Sequence, residues 1–341
     1  MQQSEIKKVL IIQTAFLGDV VLATALIEKL HAAYPNAQLD FLLRKGNEGL
    51  LKGHPQLHQV LIWNKLEGKY KSLWNLLRQI RSEKYDAVIN VQRYGATGIL
   101  TAFSDAKQTF GFDKNPFSRF FTRRYTHNME NGSHEVERNQ LLISSITQGP
   151  AAKPKLYPTA QDYEKVQPLK TAPFITIAPT SVWFTKQYPA EKWIDLLNSL
   201  PANYKVYLLG SPADKIHAEE ILQKSVHPNA ENLCGQLNLL QSAALMRDAM
   251  LNYVNDSGPM HLATSVNAPT CAVYCSTVPR FGYGPLADFA KIVEKEEPLY
   301  CRPCGLHGHK TCPEGHFKCA HDIRNEQLLH VLELAEAKQE L

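Results

Sequence analysis

Hydrophobic residues along this chain come in short solid runs, each followed by a stretch of helical spacing. Val9-Leu-Ile-Ile12 is the first run, and Val20 to Leu30 then carries apolar residues at a helical period. Solid apolar runs of four to six residues are the mark of strands buried on both faces, as in parallel sheets. Gln38–Leu43, Gln59–Trp63, Asp86–Val91 and Thr109–Phe112 read the same way, with helical patterns at Tyr70–Ile80 and His134–Ile146. Pro150, Pro154, Pro158, Pro168 and Pro173 then predict an extended linker. A second strand-helix series follows, with strands at Phe174–Ala178, Lys205–Leu209, Met250–Val254 and Thr270–Tyr274, and a last helix at Asn325–Gln339. Strands alternating with helices predict parallel sheets, here in two α/β domains.

Two strand-to-helix turns carry candidate chemistry. After Val254 come Asn255-Asp-Ser-Gly-Pro-Met-His261. Asp256 and Ser257 form the turn, and Gly258 and Pro259 open a helix, with proline in the first turn where its missing N–H costs nothing. The unpaired N–H groups of that turn and the positive end of the helix dipole make a seat for phosphate. Asp256 stands beside it, placed to accept hydrogen bonds from sugar hydroxyls, a pairing that suits a nucleotide-sugar. An ordinary turn with a capping carboxylate is the plainer alternative. In the first turn, Gln13-Thr-Ala-Phe-Leu-Gly-Asp19 leads into the first helix. Asp19 then falls in its first turn, at the carboxyl end of strand one, where open α/β sheets bind ligands.

Length and charge narrow the class. The 341 residues fit two domains, and a net charge of +4 is too slight to argue for nucleic acid. No run approaches the roughly 20 apolar residues of a membrane span. No apolar signal region precedes the first strand, so a cytoplasmic location with seven reduced cysteines is expected. A Gly-x-Gly-x-x-Gly fingerprint is absent from the first turn, against a dinucleotide-dependent enzyme.

Leu17-Gly-Asp-Val-Val21 together with Asn255-Asp-Ser-Gly-Pro-Met-His261 resembles the ADP-heptose:lipopolysaccharide heptosyltransferases of glycosyltransferase family 9. The tail Cys301-Arg-Pro-Cys304 with Cys312 and Cys319 is most similar to the heptosyltransferase II branch. The resemblance implies a GT-B architecture: a Rossmann-like acceptor domain over residues 1–165, facing a nucleotide-sugar domain over 166–324 across a central cleft. The helix over 325–341 is expected to pack back on the first domain. The implied activity is inverting heptose transfer from an ADP-sugar to a lipid A-core acceptor at the inner-membrane surface, without cofactor or catalytic metal. Asp19 is then the general base that takes the acceptor's proton. In the Thr180-Ser-Val-Trp-Phe-Thr-Lys186 loop, Lys186 is matched to the family lysine that contacts the diphosphate, with Thr180, Ser181 and Thr185 around it. Phe184 and Thr185 stand between Trp183 and Lys186, a departure from the family spacing that leaves these hydroxyl assignments loose by a residue or two. Gly210 and Ser211, after the next strand, are candidates for the ribose pocket, and His261 for the phosphate, although a helix-packing role is its ordinary one.

Arg119, Arg123 and Arg124, interleaved with Phe117, Phe120 and Phe121, are the candidate acceptor contacts, since that acceptor is anionic. Cys301, Cys304, Cys312 and Cys319, with nearby histidines, offer enough ligands for a structural zinc, but their spacing is not that of a zinc ribbon. A thiol-rich loop is the preferred reading, with no metal. Two other classes stay open: a GT-B transferase or epimerase using another nucleotide-sugar, and a metal-stabilised nucleic-acid-binding protein.

Overall fold

The computed structural model describes residues 6–65, 68–129 and 132–339, so the expectation about a signal region falls partly outside the described residues. The chain divides into two compact units, residues 1–157 and 158–341.

In the first unit the strands are β1 (Lys8–Ile12), β2 (Gln38–Arg44), β3 (Gln59–Trp63), β4 (Ala87–Asn90), β5 (Gln108–Phe112) and β6 (Arg123–Tyr125). The helices are α1 (Leu17–Ala33), α2 (Lys69–Ser82), α3 (Gly95–Ala102) and α4 (Glu135–Leu141). All six strands are parallel, in the order β3-β2-β1-β4-β5-β6. Val9 to Ile12 are fully buried, as the solid run requires, and α1 is buried along most of its length.

The second unit opens with α5 (Ala160–Val166), then β7 (Phe174–Ala178), α6 (Ala190–Ser199), β8 (Lys205–Leu208), α7 (Lys215–Lys224) and β9 (Ala230–Asn232). It continues through α8 (Leu239–Arg247), β10 (Leu251–Asn255), α9 (Gly258–Ser265), β11 (Thr270–Tyr274), β12 (Ala290–Glu294), α10 (Lys318–His321) and α11 (Asn325–Gln339). Its parallel sheet runs β12-β11-β10-β7-β8-β9. Counted from each unit's own first strand, both sheets have the order 3-2-1-4-5-6. In such a sheet the chain reverses direction between strands 1 and 4, and ligands bind at the carboxyl ends there. That point lies between β1 and β4 in one unit and between β7 and β10 in the other, beside both candidate turns.

Three expectations change. The proline-marked segment is not wholly extended, because Thr159 and Asp162 form a capping box that starts α5. That helix packs on α8, with Tyr163 under the side chains of Lys170 and Arg247, so the division falls after Tyr157 rather than at residue 165. Helix α11 was expected to pack back on the first domain. It packs on α6 and β12 instead, and Leu328, Val331, Leu332 and Ala335 join the core of the second unit. Finally, the helix expected through Ile146 stops at Leu141, and the chain continues in tight i→i+3 turns. No described helix is long and apolar enough to cross a membrane.

Candidate active site

In the first unit the turn after β1 is held from two sides. Gln13 donates its N–H to Leu42 O at 3.0 Å, its side chain accepts from the Gln92 amide, and Asn47 Nδ2 donates to Ala15 O at 3.1 Å. Phe16 precedes α1 in extended conformation with its ring exposed under the Arg44 guanidinium, 4.7 Å from the ring centre. Asp19 follows in the first turn of α1. Burial, aided by the nearby negative charge of Glu135, pushes its carboxyl up from 3.8 to about 6, against the pull of the Phe16 and Asp19 N–H groups and Arg44. A carboxyl that titrates near 6 is ionised at neutral pH yet basic enough to accept a proton.

Glu135 is the feature that the sequence reading did not find. It opens α4, which packs on α1. Its Oε2 accepts from Arg138 Nη2 at 2.8 Å and lies 3.6 Å from His127 Nε2. Burial alone would raise the Glu135 carboxyl, but His127 and Arg138 outweigh it and hold the group below its ordinary value. It therefore stays anionic beside Asp19. Asn90 ends β4 fully buried, and its Nδ2 has no hydrogen-bond partner among the described residues.

In the second unit the loop after β7 ends in a single 3₁₀ turn, Phe184–Lys186. Lys186 Nζ lies 2.6 Å from Asp256 Oδ2, and the Thr277 hydroxyl donates to the same oxygen at 2.7 Å. All three side chains are largely buried. Asp256 directly precedes the N-cap residue of α9, Ser257, which makes no side-chain cap, and Pro259 occupies the first turn. Ammonium, carboxylate and uncapped helix start are thus neighbours, with the carboxylate fixing the cation. Asp256 was expected to accept from sugar hydroxyls; in this structure its Oδ2 is committed to Lys186 and Thr277.

Thr185 is turned inward. Its hydroxyl accepts from the His309 N–H at 2.8 Å and from Ser276 Oγ at 3.0 Å, so it braces the loop rather than facing a ligand. The Thr180 and Ser181 carbonyls accept from Asn255 Nδ2 at 3.4 Å and Gln187 Nε2 at 2.6 Å. Ser257 Oγ donates to Asn255 O at 3.3 Å, and His261 is buried within α9. Ser211 was a ribose candidate, but its N–H and hydroxyl both donate to Asp214 Oδ2, at 2.7 and 2.6 Å, capping the next turn. Gly210 has a packing reason: a Cβ there would lie 2.9 Å from both Asp214 Cβ and Cys234 Sγ.

The arginine cluster is also less uniform than its sequence. Arg119 lies over the exposed Phe120 ring at 4.7 Å, while Phe121 is buried against Gly111. Arg123 and Arg124 are consecutive in the edge strand β6, so their side chains leave opposite faces of the sheet. Among the described residues no three His, Cys, Asp or Glu side chains are arranged to hold a metal. Cys319 is buried in the second core with Cys312 packed against it, and Cys301 Sγ lies 4.0 Å from His316 Nε2. Thr277, Ser276 and Arg302 were also missed, because isolated Ser, Thr and Arg residues in loops carry no spacing signal.

Residues 73–317 match the family described as glycosyltransferase family 9 (heptosyltransferase). The chain is 27% identical to Escherichia coli lipopolysaccharide heptosyltransferase 3, over 77% of this chain and 82% of that protein. It is 25% identical to Pseudomonas aeruginosa lipopolysaccharide heptosyltransferase 1, over 94% and 93%. Its fold matches the structure of E. coli ADP-heptose lps heptosyltransferase II with a TM-score of 0.82 and 21% identity, over 98% and 100% of the two chains. A glycosyl transferase family 9 structure from Veillonella parvula matches with a TM-score of 0.84 and 22% identity, over 99% of each. Both structural matches span both units, and the family match covers most of the chain. This chain belongs to glycosyltransferase family 9, the heptosyltransferases.

Proposed function

We propose that this glycosyltransferase moves a heptose from an ADP-linked donor to the inner core of lipopolysaccharide, with inversion at the anomeric carbon. The observation that carries the reading is Asp19, a carboxyl pushed up to about 6 in the first turn of the helix that follows strand one. Inverting transfer needs one such base. The acceptor hydroxyl attacks the anomeric carbon as the bond from that carbon to the diphosphate oxygen breaks. Asp19 takes the hydroxyl proton, and ADP departs with the bonding electrons. Lys186 and the N–H groups at the start of α9 stabilise the charge gathering on the diphosphate. Gly258 and Pro259 shape that start, while Asp256 and Thr277 hold the ammonium in place.

The donor and acceptor classes follow the names of the relatives, which are lipopolysaccharide heptosyltransferases. Work at the cytoplasmic face of the inner membrane, as a peripheral protein, agrees with the lack of a spanning helix among the described residues. The exposed Arg119, Arg123 and Arg124 are the proposed contacts to the acceptor's phosphates and acidic sugars. Mass spectrometry of products from a panel of nucleotide-sugars and truncated core acceptors tests the reading. Product from ADP-heptose with an inner-core acceptor is expected. Product only from a uridine-linked sugar, or from none of the ADP-sugars, would overturn it.

A further inference from the structure

The cysteine-bearing segment between Tyr300 and Cys312 does more than cover the second unit. Thr185 and His309 form a two-bond ladder: Thr185 N–H donates to His309 O at 3.1 Å, and His309 N–H donates to Thr185 Oγ1 at 2.8 Å. Ser276 joins it from a third direction. Its hydroxyl donates to Thr185 Oγ1 at 3.0 Å, its N–H donates to Thr185 O at 3.2 Å, and its own carbonyl accepts from Cys304 N–H at 2.9 Å. Arg302 adds a clamp on the same loop. Its Nε donates to Cys275 O at 2.7 Å, and its Nη2 donates to Thr277 O at 2.7 Å, to Tyr274 O at 3.2 Å and to Glu294 Oε2 at 2.5 Å.

Two of the residues held this way immediately precede residues of the Asp256 cluster. Thr185 precedes Lys186, and Ser276 precedes Thr277; Lys186 and Thr277 converge on one oxygen of Asp256. The bracing layer and the functional layer are therefore one peptide apart in both loops. Gly308 shows how tight the fit is. At φ +74°, a Cβ on it would lie 2.8 Å from Thr185 Oγ1, 3.1 Å from Lys186 Cγ and 3.2 Å from Ser276 Oγ. Only glycine allows the segment to lie this close, in a conformation other residues adopt at a cost.

We propose that residues 300–312 are a strap that sets the position of the Lys186 ammonium and the Thr277 hydroxyl, with Thr185, Arg302 and Gly308 as its positioning residues. Its value for catalysis rests on the donor reading above; its effect on Lys186 does not. Thr185→Val keeps the shape and removes the hydroxyl acceptor, so the ladder loses one bond and Ser276 another. About a tenfold rise in the ADP dissociation constant and in the donor KM is expected, with the acceptor KM unmoved and Thr185→Ser restoring both to within about twofold, since tenfold corresponds to ~1.4 kcal/mol. Gly308→Ala is expected to act in the same direction.

A second measurement needs no nucleotide. Competitive labelling with acetic anhydride, read by peptide mass spectrometry, reports how accessible and how firmly paired Lys186 is. Slow labelling is expected in the parent protein and severalfold faster labelling in Thr185→Val and Gly308→Ala, at unchanged circular dichroism. Faster labelling in a protein that binds no ADP would overturn the donor reading and leave the strap standing. Folded variants with unchanged labelling of Lys186 would overturn the strap, whatever their activity.

Discussion

Asp19→Asn is expected to make the enzyme slower and the fold more stable, and both effects follow from the same half-buried carboxyl. The folded-state value is about 6 against 3.8 for an ordinary aspartate, with burial as the leading cause. Between these values the native state holds a proton that the unfolded state has released, so stability falls as pH rises through this window. Above about pH 6 the full cost of keeping Asp19 ionised is present, at most about 3 kcal/mol at 1.36 kcal/mol for each tenfold. Asparagine carries no charge and avoids that cost. The variant should gain up to about 3 kcal/mol at pH 8, about half as much at pH 5, and little at pH 4. For a unit of this size the gain at pH 8 corresponds to a rise in Tm of about 6 to 12 °C. Turnover should fall by about two to four decades, the range for losing a general base, with ADP binding retained. Urea denaturation at pH 5 and pH 8, paired with product assays, measures both effects. An Asn variant that turns over normally, or one no more stable than the parent at pH 8, would refute the reasoning.

Other outcomes follow from the same geometry. Because the parent needs ionised Asp19, kcat/KM should fall as pH drops through about 6, and Glu135→Gln, by removing an anion beside it, should move that acid limb to lower pH; a pH–rate series on both proteins checks this. Lys186→Ala should weaken ADP binding by calorimetry and lower stability by about 1 to 3 kcal/mol, because it leaves Asp256 buried with one partner fewer. Adding Asp256→Asn should restore the stability but not the affinity, which separates ion pairing from phosphate binding. Gly210→Ala, whose Cβ meets Asp214 and Cys234 at 2.9 Å, should cost about 1 to 3 kcal/mol by denaturation with ADP affinity little changed.

The strands flanking the reversal of each sheet were legible because they are buried on both faces. Val9–Ile12, Phe174–Ala178 and Leu251–Asn255 must be apolar or internally paired along their length. Of the edge strands, the apolar β3 was read from its run, but the short polar ones were not. β6 is Arg-Arg-Tyr and β9 is Ala-Glu-Asn, short and polar because one side faces solvent, so no run marks them. Helix α3 hid behind Gly95 and Gly98; a Cβ at Gly98 would lie 2.1 Å from Asn115 Oδ1, so packing against that side chain overrides helix propensity. Helix α11 was placed on the wrong unit because an apolar stripe shows that a helix is covered, not by what. Asp19 stood out in the sequence because a Gly-Asp pair at a strand-to-helix turn is a local signal. Glu135 did not, since its influence on Asp19 depends on α4 packing against α1 across more than a hundred residues of chain.

Asp256 shows how the fold gives a residue a partner that its turn alone does not announce. From its turn alone, a carboxylate beside a helix start is a ready acceptor for sugar hydroxyls. In the folded unit an ammonium from the loop after β7 and a hydroxyl from the loop after β11 reach the same oxygen. The reason is electrostatic. An isolated ammonium in so dry a place would cost several kcal/mol, and so would an isolated carboxylate. Paired, they leave the site nearly neutral at rest, and the ammonium is held in one place next to the start of α9. A fixed cation of this kind needs no reorganisation when the charge develops, which makes it worth more to a transition state than a mobile surface lysine. The sugar-facing role and the lysine-holding role also need not compete, because a carboxylate has two oxygens and Lys186 and Thr277 both use Oδ2.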